Sequence, residues 1–155
     1  PTLEIEGGLP LCESVFICDY LLAQGNGAVS DSRRDVKDLH RYAFGKVLME
    51  TAFKKVVNER FLGQGHPLSE RGSAALIRAL CSLETSLAKN IATLSLADLC
   101  LAVALEYIQF RLPDLFTAHT GPLTLAWLTP YRNRASFIKS TPERLKAQPA
   151  SSLDL

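Results

Sequence analysis

ATLSLADLCLAVALEYIQFRLPD, running from Ala92 to Asp114, is the stretch that decides the fold. Between Leu96 and Phe110 apolar residues stand at positions of both parities, so strand alternation does not describe it. Leu and Ala dominate, and both are strong helix formers. A helix that is apolar on all sides is expected to be buried on all sides. Its polar borders and short length argue against a membrane span. The reading is a central helix with others packed around it. Ser95 caps the first turn, and Asp98, three residues on, is placed to reach back to the Ser95 amide. Leu94 and Leu99 stand at the hydrophobic-staple positions. Pro113 ends the helix, because it restricts Leu112 and has no amide to donate.

Working outward, Leu68 to about Asn90 repeats Ala75, Leu76, Ala79, Leu80, Leu83 and Leu87 at helical spacing. Before it, Asp31 to about Phe61 reads as one long helix capped by Asp31 or Ser32. Gly45 sits in its middle, where glycine costs about 1 kcal/mol relative to alanine; a close approach by another element would explain it. Glu13 to Ala23 is a short helix with a broad apolar face. Pro1 to Leu11 reads as an incomplete hairpin: Thr2 to Ile5 extended, Gly7-Gly8 turning, and Leu9 to Leu11 returning. Two short strands are not a stable sheet, so this opening looks like half of a larger unit. On the other side of the central helix, Leu115 to Gly121 reads as loop and Pro122 to about Leu128 as a short helix carrying Trp127. Ser136 to Lys139 is one more turn. Thr141 to Leu155 is a tail that is loose or wraps the surface. The boundaries are thus 1–24 for the incomplete unit, 25–30 for a linker, 31–140 for a helical domain and 141–155 for the tail.

The 155 residues suffice for one domain with a sizeable core. Lys and Arg number 17 against 16 Asp and Glu, a balance that provides no field for nucleic acid. The four cysteines, Cys12, Cys18, Cys81 and Cys100, lack metal-ligand spacing, which favours a reduced, cytoplasmic protein. His40, His66 and His119 stand apart, and the glycines at Gly25 and Gly27 belong to a linker rather than a phosphate loop. Glu13 is the one acid beside both a turn and a helix start. Read alone, it is a favourable partner for the helix dipole. Combined with the hairpin and with Ser14, it forms a compact corner for an α-amino acid end. There the Ser14 hydroxyl and amide hold a carboxylate, and Glu13 pairs with an ammonium.

These segments resemble the cytosolic glutathione transferase family. PTLEIEGGLPLCESVFICDYL is similar to that family's third and fourth strands and third helix, and LSLADLCLA to the capping-box segment of its sixth helix. Trp127 and Arg134-Ala135-Ser136-Phe137 resemble the close of its helical domain, although the family commonly has proline where Ala135 stands. The resemblance implies a mainly α protein: a partial thioredoxin-like unit, made of a β-hairpin and one helix, followed by the all-helical C-terminal domain. It implies that Pro1 matches the family's cis-proline and that Glu13 and Ser14 hold the γ-glutamyl end of glutathione, the co-substrate. The long helix, through Tyr42, Lys46, Met49 and Phe53, would form the wall for a small electrophile or disulfide. The resemblance also implies a homodimer; the charge balance, the span length and the cysteine spacing already leave no expected role for nucleic acid, a membrane or a metal. The family's activating Tyr, Ser or Cys belongs to a first strand expected upstream of Pro1; neither Cys12 nor Cys18 matches its position. A non-catalytic module for protein interaction or structure is the competing expectation.

Overall fold

The computed structural model describes residues 1–5, 7–25, 29, 35–87 and 94–147. The chain opens on an antiparallel hairpin of β1 (Thr2–Leu3) and β2 (Leu11–Cys12), in register Thr2 with Cys12 and Leu3 with Leu11. The return strand thus lies one to two residues beyond the expected Leu9–Leu11, after Pro10, which has no amide to give a ladder. The reversal is a turn in which the Gly8 amide donates to the Ile5 carbonyl at 3.0 Å and Gly7 takes a φ of 70°, a conformation open to glycine at no steric cost. Then come α1 (Ser14–Gln24), α2 (Val36–Leu62), α3 (Pro67–Ser86), α4 (Leu96–Arg111), α5 (Pro113–His119), α6 (Pro122–Arg132), α7 (Ala135–Lys139) and α8 (Pro142–Lys146). The architecture is mainly α: a hairpin and one helix preceding a helical bundle.

Helix α4 is the axis of that bundle. Leu101, Ala102, Ala104, Leu105 and Ile108 are fully buried among Leu48 and Ala52 of α2, Leu76 and Leu80 of α3, Phe116 of α5 and Leu128 of α6. Burial is not complete on every side. Val103 and Phe110 keep nearly half their surface, 46% and 47%, beside an open cleft bordered by α7 and α8. The expectation of burial all round presumed a neighbour on each face; among the described residues the α7–α8 side is only partly covered.

The start of α4 is built as its residues imply, with one change of partner. The Ser95 hydroxyl accepts from the Asp98 amide at 3.1 Å, and Leu94 and Leu99 pack at the edge of the core. Asp98 does not complete the box among the described hydrogen bonds. Its buried carboxylate accepts instead from the Arg41 guanidinium of α2 at 2.6 Å, so it ties two helices together rather than one turn to itself. A guanidinium satisfies a buried carboxylate better than a single amide does.

Gly45 marks where α2 and α4 cross. A Cβ there would lie 2.8 Å from the Leu101 amide nitrogen and 2.9 Å from its Cα, so only glycine admits this backbone-to-backbone approach. The mid-helix glycine thus has the packing reason expected of it.

Several boundaries differ from expectation. Asp31 and Ser32 lie outside the described residues, and α2 starts behind Asp35, whose side chain accepts from the Lys37 amide at 3.1 Å. The segment expected as loop, Leu115 to Gly121, is largely helix α5. Pro113 ends α4 but also occupies the first turn of α5, where a missing amide costs nothing. Helix α6 runs past Leu128 to Arg132. Its N-terminus is capped across the fold by Glu84 of α3. That carboxylate accepts from the Leu123 amide (2.7 Å), the Thr124 amide (3.1 Å) and the Thr124 hydroxyl (3.0 Å). In the expected tail, Pro142–Lys146 forms α8 with the Thr141 hydroxyl as its cap. No described helix is long and apolar enough to cross a membrane.

Candidate functional site

The corner where β2 meets α1 is set by Glu13. Its φ of 73° and ψ of 124° make it the one non-glycine residue at positive φ among the described residues. A side chain in this region is strained, and such strain persists only where the surroundings hold it. The backbone of Glu13 begins α1, its carbonyl accepting from the Ile17 amide at 3.1 Å. Its side chain makes no capping bond. It turns outward instead: Oε1 accepts from the Ser14 hydroxyl at 3.1 Å and from Lys46 Nζ at 3.4 Å. Lys46 also lies 3.0 Å from Glu50, one turn along α2.

These contacts bias the charges consistently. The Ser14 hydroxyl, then the Lys46 ammonium, hold the Glu13 carboxyl below its ordinary value. Lys46 is pushed up, first by Glu50; burial opposes the rise, and Glu13 adds to it. At neutral pH the corner therefore carries a fixed carboxylate and a fixed ammonium side by side.

Tyr42, Lys46, Met49 and Phe53 share one stripe of α2, being spaced by four, three and four residues. Tyr42 is buried in a small cluster with Leu96 and Ala97 of α4, joined by Val15, Cys18 and Leu22 of α1. That cluster is the apolar seam between the hairpin–α1 unit and the bundle. Met49 is half-buried at the edge of the main core, and Phe53 is exposed at 56%. Pro1, exposed, stands immediately before β1. Glu13, Ser14 and Lys46 are thus brought into direct contact, with the rest of the stripe running away from them. The pairing of Glu13 with Lys46 spans 33 residues and has no local sequence signal.

The two half-buried thiols, Cys18 and Cys100, do not supply a nucleophile. Burial, then the charge of Asp19, pushes Cys18 up. Burial, then Cys18, pushes Cys100 up to about 11. Both stay protonated at neutral pH, and the thiolate is the reactive form. Among the described residues no three His, Cys, Asp or Glu side chains converge as a metal site requires. Two open clefts lie elsewhere: one of about 670 Å³ between the start of α2 and the end of α3, and one of about 760 Å³ between α4 and α7–α8. Neither is lined by Glu13, Ser14 or Lys46.

No family profile and no curated protein matches the chain. A solved structure does: that of a glutathione transferase family member from Pseudomonas fluorescens Pf-5 with bound S-(propanoic acid)-glutathione. The two are 28% identical and superpose with a TM-score of 0.77, covering 92% of this chain and 76% of that one.

Proposed function

Starting from the premise that this chain is a homologue of the glutathione transferases, we propose that its hairpin–α1 corner holds the γ-glutamyl end of glutathione. On this reading the residues present form a glutathione-transferase-like binding module without a nucleophile-activating group of their own. The observation that carries it is the pairing of Glu13 and Ser14 at the start of α1, with Lys46 alongside. A carboxylate, a hydroxyl and helix-terminal amides in one place offer a partner to both charges of an α-amino acid. Pro1, beside β1, belongs to the same surface, and its neighbours would meet the rest of the tripeptide.

A second reading, conjugation or reduction of small electrophiles, is favoured by the glutathione conjugate bound to the relative from Pseudomonas fluorescens. It requires a group that deprotonates or stabilises the glutathione thiol, supplied by chain beyond these residues. The electrophile would then lie along α2 from Lys46 past Met49 to Phe53, with Tyr42 as the buried floor. Detoxification, a cytoplasmic location and a homodimer belong to this proposal. An exposed apolar strip on α2 (Val36, Leu39 and Val47) supports association through that helix.

Calorimetric titration of the complete protein with glutathione tests the site. Replacing Ser14 by Ala is expected to weaken binding by about 1–2 kcal/mol, the value of a hydrogen bond to a charged group. Unchanged affinity in that variant would remove the assignment. Turnover of a chromogenic electrophile by the complete protein separates the two readings: none is expected of a binding module, and thiol-dependent turnover establishes the transferase.

A further inference from the structure

Two donors converge on a single carboxylate oxygen in the corner. The Ser14 hydroxyl (3.1 Å) and Lys46 Nζ (3.4 Å) both reach Glu13 Oε1. One neutral and one cationic donor directed at the same oxygen is the arrangement that binds a carboxylate. Here the chain's own side chain occupies it, from a strained backbone. Lys46 has a second acceptor one turn along, Glu50 at 3.0 Å, which is shared in turn with Lys54 at 3.9 Å. The ammonium is therefore held in place whether or not Glu13 stays.

We propose that Glu13 Oε1 fills, in the ligand-free protein, the position taken by the α-carboxylate of an incoming amino-acid end, and that Lys46 binds that carboxylate. This deepens the glutathione reading above and rests on it. It moves Lys46 from the electrophile wall to the amino-acid subsite. On binding, the ligand carboxylate takes over the Ser14 hydroxyl and the Lys46 ammonium. The displaced Glu13 carboxylate accepts the ligand's α-ammonium. Two charge pairs with the ligand replace one within the chain, and no covalent bond is made or broken. Lys46 keeps Glu50 throughout, so the exchange gives up only an exposed ion pair, which is worth little. The subsite then reads both charges of the ligand and discriminates against either one alone.

The test is calorimetry on the complete protein with two ligands. One is glutathione; the other is 4-aminobutyryl-cysteinylglycine, which lacks only the α-carboxylate of the γ-glutamyl residue. Lys46→Met is expected to weaken glutathione binding about tenfold, the value of one charge-assisted contact. It should leave the affinity for the decarboxylated ligand unchanged, and Lys46→Arg should restore most of the loss. Equal glutathione affinity in wild type and Lys46→Met overturns the assignment. Tighter binding by Lys46→Met overturns it too, since Lys46 would then only compete for Glu13. So does an equal loss for both ligands, which would mean that Lys46 acts through the fold. Wild-type protein that binds neither ligand removes the glutathione reading itself, and this assignment with it; failure at Lys46 alone leaves that reading standing.

Discussion

Consecutive residues of α2 make opposite kinds of contact. At Gly45 the helix meets α4 backbone against backbone, with no room for a single methyl group. At Lys46 it meets Glu13 through the ends of two flexible, half-exposed side chains. The first contact is short, apolar and unforgiving, and it sets the angle at which the bundle forms. The second is polar, adjustable and provided with an alternative partner. Packing needs a unique arrangement, because cores are close-packed and respond to one methylene. A recognition corner needs groups that can change partners.

The comparison breaks first at Gly45. Gly45→Val is expected to cost about 3 kcal/mol or more, because the added carbon meets main chain that cannot rotate away. Even Gly45→Ala should destabilise, despite the roughly 1 kcal/mol that alanine gains by helix propensity. Lys46→Met should stay within about 0.5 kcal/mol of wild type. Urea melts of the three variants decide it; a wild-type midpoint for Gly45→Val would mean that α2 and α4 do not cross backbone against backbone at Gly45.

Next in size is the α4 start. Asp98→Ala should cost about 2–3 kcal/mol: it removes a buried carboxylate and leaves Arg41, itself partly solvated, with Asp38 as its one ionic partner among the described residues. Ser95→Ala should cost about 1 kcal/mol, the usual value of an N-cap. Equal losses for the two would mean that the tie to α2 adds nothing beyond the cap.

These two residues also show what the sequence makes legible. The cap, the staple and the mid-helix glycine are local signals, with partners within five residues or an anomaly visible at one position. All three locate the central helix and its crossing. Pro113 is equally visible but ambiguous, since proline both stops one helix and starts the next, and α5 goes unread for that reason. The tertiary partners have no local signature. Arg41 lies 57 residues from Asp98, Lys46 lies 33 from Glu13, and Glu84 lies 39 from Leu123. Glu13 and Ser14 are legible as a pair because they are adjacent. What surrounds them is not.

The Glu84 cap gives a smaller effect with a definite pH dependence. Burial raises this carboxyl, and the Leu123 and Thr124 amides with the Thr124 hydroxyl more than offset that, leaving it below its ordinary 4.5. A carboxyl depressed in the folded state stabilises above its unfolded value and loses that contribution as pH falls through the folded one. Glu84→Gln should therefore melt lower than wild type at pH 7. The difference should stay constant down to about pH 5 and shrink below 4.5. A difference that does not shrink at all as pH falls below 4.5 would assign the cap to shape rather than charge.

The smallest effect on stability, and the one that most sharpens the contrast between packing and recognition, is expected at Glu13. Its backbone sits at positive φ, where glycine is at ease and glutamate is not. Its ion pair with Lys46 is exposed on both sides and contributes little to the fold. Glu13→Gly should therefore melt at the wild-type temperature or slightly above it, while losing affinity for an α-ammonium-bearing ligand. Stability and binding would then move in opposite directions at a single residue, as they do where strain is kept for a side chain's chemistry. At Gly45 the reverse holds, since changing the residue can only harm the fold and touches no ligand. If Glu13→Gly instead melts well below wild type, the carboxylate is a structural brace between α1 and α2, and its strained backbone serves the fold rather than a ligand.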